Sequence, residues 1–252
     1  MQTGKTVLRG IVLRKTDTTE TDMILTVLTP RLGRIPVIAR GARRKNSRLA
    51  ASCQLLAYSE MTVFQKGNWY FLDEASTLEL FDGVRQDLVL LSLASYFAEL
   101  TESVTGEGQD AAETVPLLLN ALYALGTLHK DPRQVKTAYE LRLLSLSGFE
   151  PLCDGCAVCG RPDPEKPMLD VVRGVVHCAA CKEAGGLSLP LTRGALAALQ
   201  HILHCPPKKL YSFTLPAQEL ALLSHAAEAF VASQLERSFR TLDYYKTVAL
   251  GE

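Results

Sequence analysis

The sequence predicts an α+β chain built from several parts: a small five-stranded barrel first, an α-helical body after it, and a four-cysteine module inserted into that body. Three observations carry this. Short runs rich in Val, Ile, Leu, Thr and aromatics fill the first 80 residues, the pattern turns helical from about Asp82, and five of the seven cysteines lie between Cys153 and Cys181.

The strand-like runs are Thr6 to Lys15, Met23 to Thr29, Arg34 to Gly41, Leu56 to Gln65 and Trp69 to Leu78. Polar or glycine-bearing joints separate them, among them Thr16–Thr21, Pro30–Gly33 and Lys66–Asn68. Five short strands in about 75 residues fit the closed barrel of an OB-fold. Pro36, inside the third run, puts that strand at an edge or a bulge, because proline has no N–H for a ladder. The helical runs are Gln86 to Thr105, Ala111 to Leu128 and Arg133 to Ser147. Gly106 and Gly108 break the first pair, and Asp131-Pro132 opens the third. Thr192 to His204 forms another, and Pro216 to Glu236 carries Leu220, Leu223, Ala227, Phe230 and Val231 on one stripe. The expected organisation is residues 1–80 as an OB-fold nucleic-acid-binding domain, 81–150 with 187–252 as a helical domain, and 151–186 as a metal-binding module.

Charge is distributed unevenly. The chain holds 27 basic and 27 acidic residues, yet residues 1–80 have 12 basic against 7 acidic. No Asp or Glu occurs from Met23 to Ser59, where Arg31, Arg34, Arg40, Arg43, Arg44, Lys45 and Arg48 all fall. Such asymmetry suggests a basic module that meets a polyanion, joined to a more acidic body. On the third run Ile35, Val37 and Ala39 alternate inwards while Arg34 and Arg40 point out. If the last two runs pair around Gly67-Asn68, Phe64, Lys66, Trp69 and Phe71 share an outer face as stacking platforms for bases. A shifted register would bury Trp69 and Phe71 instead, and is the more conservative alternative. The pattern offers no base-edge readout.

In the cysteine segment, Cys156-x2-Cys159 and Cys178-x2-Cys181 have the spacing of a four-thiolate Zn2+ knuckle. Two such turns close a tetrahedron and leave no open position, so the single ion is structural. Cys153 is the odd thiol and can replace Cys156, although Gly160 after Cys159 favours the downstream pair. An iron–sulfur run would need a further x3-Cys-Pro. His177 reads as a neighbour of the site, and His201, His204 and Cys205 as ordinary helix positions. Seven cysteines without a secretory segment fit a reducing, cytoplasmic compartment. The apolar runs Leu88 to Ala98 and Leu117 to Leu128 fall short of the roughly 20 residues of a membrane span. "TGKT" at residues 3–6 lacks the preceding glycine and strand of a phosphate-binding loop, and no nucleophile or carboxylate cluster indicates catalysis.

"GIVLRKTDTTETDMILTVLTPRLGRIPVIARGARRKNSRL" resembles the N-terminal region of the RecO family, bacterial recombination mediators, most clearly around "ARGARR". "GFEPLCDGCAVCG" followed by "GVVHCAAC" is similar to the zinc segment of members that keep four cysteines; Cys153 is additional to that pattern. The resemblance implies a protein that is not an enzyme, binds single- and double-stranded DNA and anneals complementary strands. Its implied partners are RecR, single-stranded-DNA-binding protein and, indirectly, RecA and RecF, with no membrane. The alternative reading is a zinc-bearing scaffold whose barrel binds RNA or protein.

Overall fold

The computed structural model describes residues 4–181 and 186–250, so Thr3 of "TGKT" lies outside the described residues. The chain divides into two compact units. One is formed by the chain up to Thr127 together with the segment from Phe239 onward, the other by Leu128–Ser238.

The first unit opens with β1 (Lys5–Asp17), β2 (Met23–Thr29), β3 (Gly33–Ala39), β4 (Tyr58–Lys66) and β5 (Trp69–Glu79). They close a barrel in the order β1-β2-β3-β5-β4, antiparallel except for a short parallel seam between β3 and β5. This is the five-stranded OB arrangement. Closure requires β1 to serve two neighbours, β4 along Lys5–Ile11 and β2 along Ile11–Asp17. The strand turns its corner at Gly10, where a Cβ would lie 2.5 Å from a Val27 methyl and 2.9 Å from the Leu28 carbonyl. A register break between Val12 and Arg14 follows directly, as expected where a strand bends from one sheet edge to another.

Alternate side chains fill the barrel: Val12, Leu25, Val27, Ile35, Val37, Met61, Val63 and Leu72 are buried together. Pro36 is explained by the same alternation. The Arg34 N–H leaves the strand towards the Gly106 carbonyl, and two residues on Pro36 presents the same edge, just before the β5 seam starts at Val37. A missing donor there costs no ladder bond.

Three helices complete this unit after the short turn α1 (Asp82–Arg85): α2 (Leu88–Val104), α3 (Thr114–Gly126) and, from the chain's end, α7 (Arg240–Leu250). Asp87 caps α2 by accepting from the Leu90 N–H. Glu102 on α2 pairs with Arg14 of β1, and the ring of Tyr96 meets Phe239 edge-on at 5.6 Å.

The second unit holds α4 (Pro132–Leu146), α5 (Arg193–His204) and α6 (Ala217–Leu235), with a three-stranded sheet of β6 (Pro167–Asp170), β7 (Val175–Cys178) and β8 (Ser188–Pro190). Asp131 caps α4 with Pro132 at the first helical position, as the sequence predicts. On α4 the buried Lys136 bridges Glu140 at 2.8 Å and Glu228 of α6 at 3.2 Å. Burial works against its charge, but the two carboxylates outweigh it and raise the lysine above its ordinary value. Among the described residues no helix is long and apolar enough to cross a membrane.

Candidate nucleic-acid interface and metal centre

The β4–β5 hairpin turns at Gly67-Asn68 with Lys66 opposite Trp69 and Phe64 opposite Phe71. Since Met61, Val63 and Leu72 go to the core, strand alternation sends Phe64 and Phe71 to the outside. There the two rings stack, with centroids 5.3 Å apart and planes 11° from parallel. Phe71 also lies beside Ile38 across the β3–β5 seam. That register brings Arg40, two residues on, over the Phe71 ring, its guanidinium carbon 5.0 Å from the centroid. Trp69 stands on the same hairpin, 43% exposed. The outer wall of the barrel thus carries flat apolar rings and a cation side by side.

Beyond Arg40 the chain runs through turns as far as Ala57. The start of this loop is pinned by Asp22, whose carboxylate accepts from the Gly41 N–H at 2.8 Å and from the Thr21 hydroxyl at 2.9 Å. Those hydrogen bonds, the Gly41 one foremost, hold Asp22 below the usual carboxylate range. The anchor is therefore fully charged at neutral pH and weakens only in acid, as pH falls from about 3.8 through the lower value of the folded state. Gly41 takes a left-handed φ of 66°, which lets the strand break away sharply.

The cations of the window separate into two sets. Arg43 is tied back to Asp17 at 3.1 Å and to the Thr19 carbonyl. Arg34 is half-buried against α2, 3.6 Å from the Glu102 carboxylate and 3.2 Å from its carbonyl. It lies six residues, or about 20 Å of strand, from Arg40, and Arg31 sits beyond it on the β2–β3 turn. By contrast Arg44, Lys45, Arg48 and Lys66 are exposed and form no ion pair among the described residues.

In the second unit, two tight turns bring Cys156, Cys159, Cys178 and Cys181 together, all four sulfurs within 4.8 Å of one another. Gly160, at φ 71°, closes the first turn by donating to the Cys156 carbonyl at 2.9 Å. The second turn leaves the end of β7 as a short 3-10 segment, Ala179–Cys181. Burial opposes a charged sulfur at Cys156, but N–H groups of Cys159 and Cys178, at 3.5 and 3.3 Å, and of Val158 outweigh it and bring the thiol down to about 6. Sulfurs 2.3 Å from a central tetrahedral ion would be about 3.8 Å apart, so the cluster fits a metal ion with little movement. Four protein ligands leave no position for substrate. His177 stays outside the set, its ring nitrogens 2.8 Å from the Cys178 carbonyl and 2.8 Å from the Ser188 hydroxyl.

Comparison with known proteins adds a decisive observation. The family described as Recombination protein O N terminal matches residues 1–81, and the one described as Recombination protein O C terminal matches residues 85–243. The chain belongs to the RecO family. Relatives named DNA repair protein RecO include those of Acetivibrio thermocellus, 32% identical over 95% of both chains, and Symbiobacterium thermophilum, 30% identical over 95% of this chain and 96% of that one. A third, from a Thermoanaerobacter species, is 29% identical over 93% and 94%.

Within this RecO-family chain, Arg40, Phe64, Lys66, Trp69 and Phe71 share one wall, and Arg43, Arg44, Lys45 and Arg48 follow on the loop beside it. Arg31 and Arg34 are placed apart from them. Sequence reasoning missed Asp22 and Glu102, the acids that position Gly41 and Arg34. Asp22 had one signal: it is the last acid before the acid-free window.

Proposed function

We propose that this protein is a non-enzymatic recombination mediator of DNA repair. It binds single- and double-stranded DNA without sequence preference and anneals complementary strands. With RecR it helps load RecA onto DNA coated by single-stranded-DNA-binding protein, in the cytoplasm, and RecF takes part indirectly. The four cysteines hold one structural Zn2+, and the acidic helical regions face the protein partners.

The observation that carries this reading is the stacked Phe64–Phe71 pair under Arg40, next to the exposed cations of the following loop. Aromatic faces accept any base, each stacking contact contributing about 1–3 kcal/mol. The cations act on the backbone by releasing condensed counterions. Annealing follows from combining the two: the positive loop screens repulsion between two phosphate chains, while the rings keep bases unstacked and available. Nothing in this chemistry consumes ATP or breaks a bond.

The test is a variant with Arg40, Arg43, Arg44 and Lys45 all changed to Gln, titrated against short single-stranded oligonucleotides. For the unaltered chain, engagement of Arg40, Arg44, Lys45, Arg48 and Lys66 gives a log–log salt slope of about −3.5, roughly a hundredfold loss from 50 to 200 mM. The variant should bind far more weakly and with a shallower slope. Unchanged affinity and slope would refute the assignment.

A further inference from the structure

Cys153 supplies none of the four clustered sulfurs, and the fold gives it other company. Its sulfur, a carboxylate oxygen of Asp154 and a ring nitrogen of His204 lie within 4.8 Å of one another. We infer that these three side chains form a second divalent-metal site, separate from the four-cysteine centre, suited to Zn2+ or Co2+.

The geometry argues that this meeting is built. Leu152 is clamped to the β7 region by two backbone hydrogen bonds, Leu152 N–H to the Gly174 carbonyl at 2.8 Å and Val176 N–H to the Leu152 carbonyl at 2.9 Å. One residue on, the Cys153 carbonyl accepts from Gln200 Nε2 of α5 at 2.7 Å. Gln200 and His204 are one helical turn apart and so share a face of α5. The hydrogen bond that fixes the backbone of Cys153 therefore also sets it against His204. The Asp154 carboxylate is already 3.9 Å from His204 Nε2. Donors around a tetrahedral ion at 2.0–2.3 Å stand about 3.3–3.8 Å apart. The two exposed side chains need to close by little more than an ångström.

The chemistry selects the ion. A surface Asp–His pair alone would be a weak contact, but here a buried thiol completes it. Sulfur excludes Mg2+ and Ca2+, which take oxygen ligands, while one thiolate, one imidazole and one carboxylate suit Zn2+ or Co2+ with a water in the fourth place. Binding would release the thiol proton to solvent. The ion would tie the start of the cysteine segment to the end of α5.

The test uses the full-length chain under reducing conditions, saturated with Co2+ in the presence of millimolar Mg2+, desalted, and analysed for total metal and visible absorption. Two ions per chain are expected for the unaltered protein and one for Cys153→Ser and for His204→Ala. The strong sulfur-to-cobalt absorption of the four-cysteine centre should persist in His204→Ala, whose half-exposed side chain leaves the fold undisturbed. A single ion in the unaltered chain, or two ions in His204→Ala, would overturn the proposal.

Discussion

Phe71 shows how one side chain acquires its surroundings from three directions. Its outward position comes from strand alternation, its stacking partner from the hairpin register, and its cation from the β3–β5 seam. Replacing it with Ala removes a stacking face without touching the core, since Met61, Val63 and Leu72 line the other side of the wall. Affinity for a single-stranded oligonucleotide should fall about thirtyfold, in the middle of the range for one lost base contact. Fluorescence anisotropy checks this, with an unchanged circular dichroism spectrum as the folding control. At this scale the sequence was legible wherever the determining neighbour is local. The alternation in "GRIPVIAR" places Arg40 outside, and Gly67-Asn68 pairs Phe64 with Phe71. It was silent where the partner is distant: Arg34 looks like any outward cation until Glu102, 68 positions away, is seen to hold it.

Among the elements, the long strands and helices announced themselves, and the short ones did not. All five barrel strands and the helices α2 to α6 lie within a few residues of the predicted runs. The strands β6, β7 and β8 have only three or four residues each. That is too few for a period to emerge, and it is pairing with one another that makes them strands. The helix α7 was missed for a different reason: "RTLDYYKTVAL" is mostly polar, and its place is set by α2, where Glu99 accepts from both the Thr241 N–H and its hydroxyl. Burial of charge within α4 is likewise invisible in sequence. Glu140 is fully buried, held beside Lys136. Changing Lys136 to Met leaves that carboxylate without its cation, and the chain should lose about 3–5 kcal/mol of stability. Chemical denaturation measures it, and a double change to Lys136→Met with Glu140→Gln should recover part of the loss.

For the molecule as a whole, neutrality conceals an uneven distribution of charge. The excess cations gather beside an aromatic wall on an OB barrel, while the acidic excess belongs to the rest of the chain. The four-cysteine cluster, which could hold a metal ion, sits in the other compact unit, away in sequence from the barrel, as the proposed separation of a structural ion from a DNA-binding surface requires. The measurement that tests this most directly is photocrosslinking of the full chain to a single-stranded oligonucleotide bearing 5-bromodeoxyuridine, followed by mapping of the modified residues. Crosslinks should concentrate on Phe64, Trp69 and Phe71 and disappear in high salt. Crosslinks confined to residues 128–238, with the barrel wall unmodified, would contradict the account.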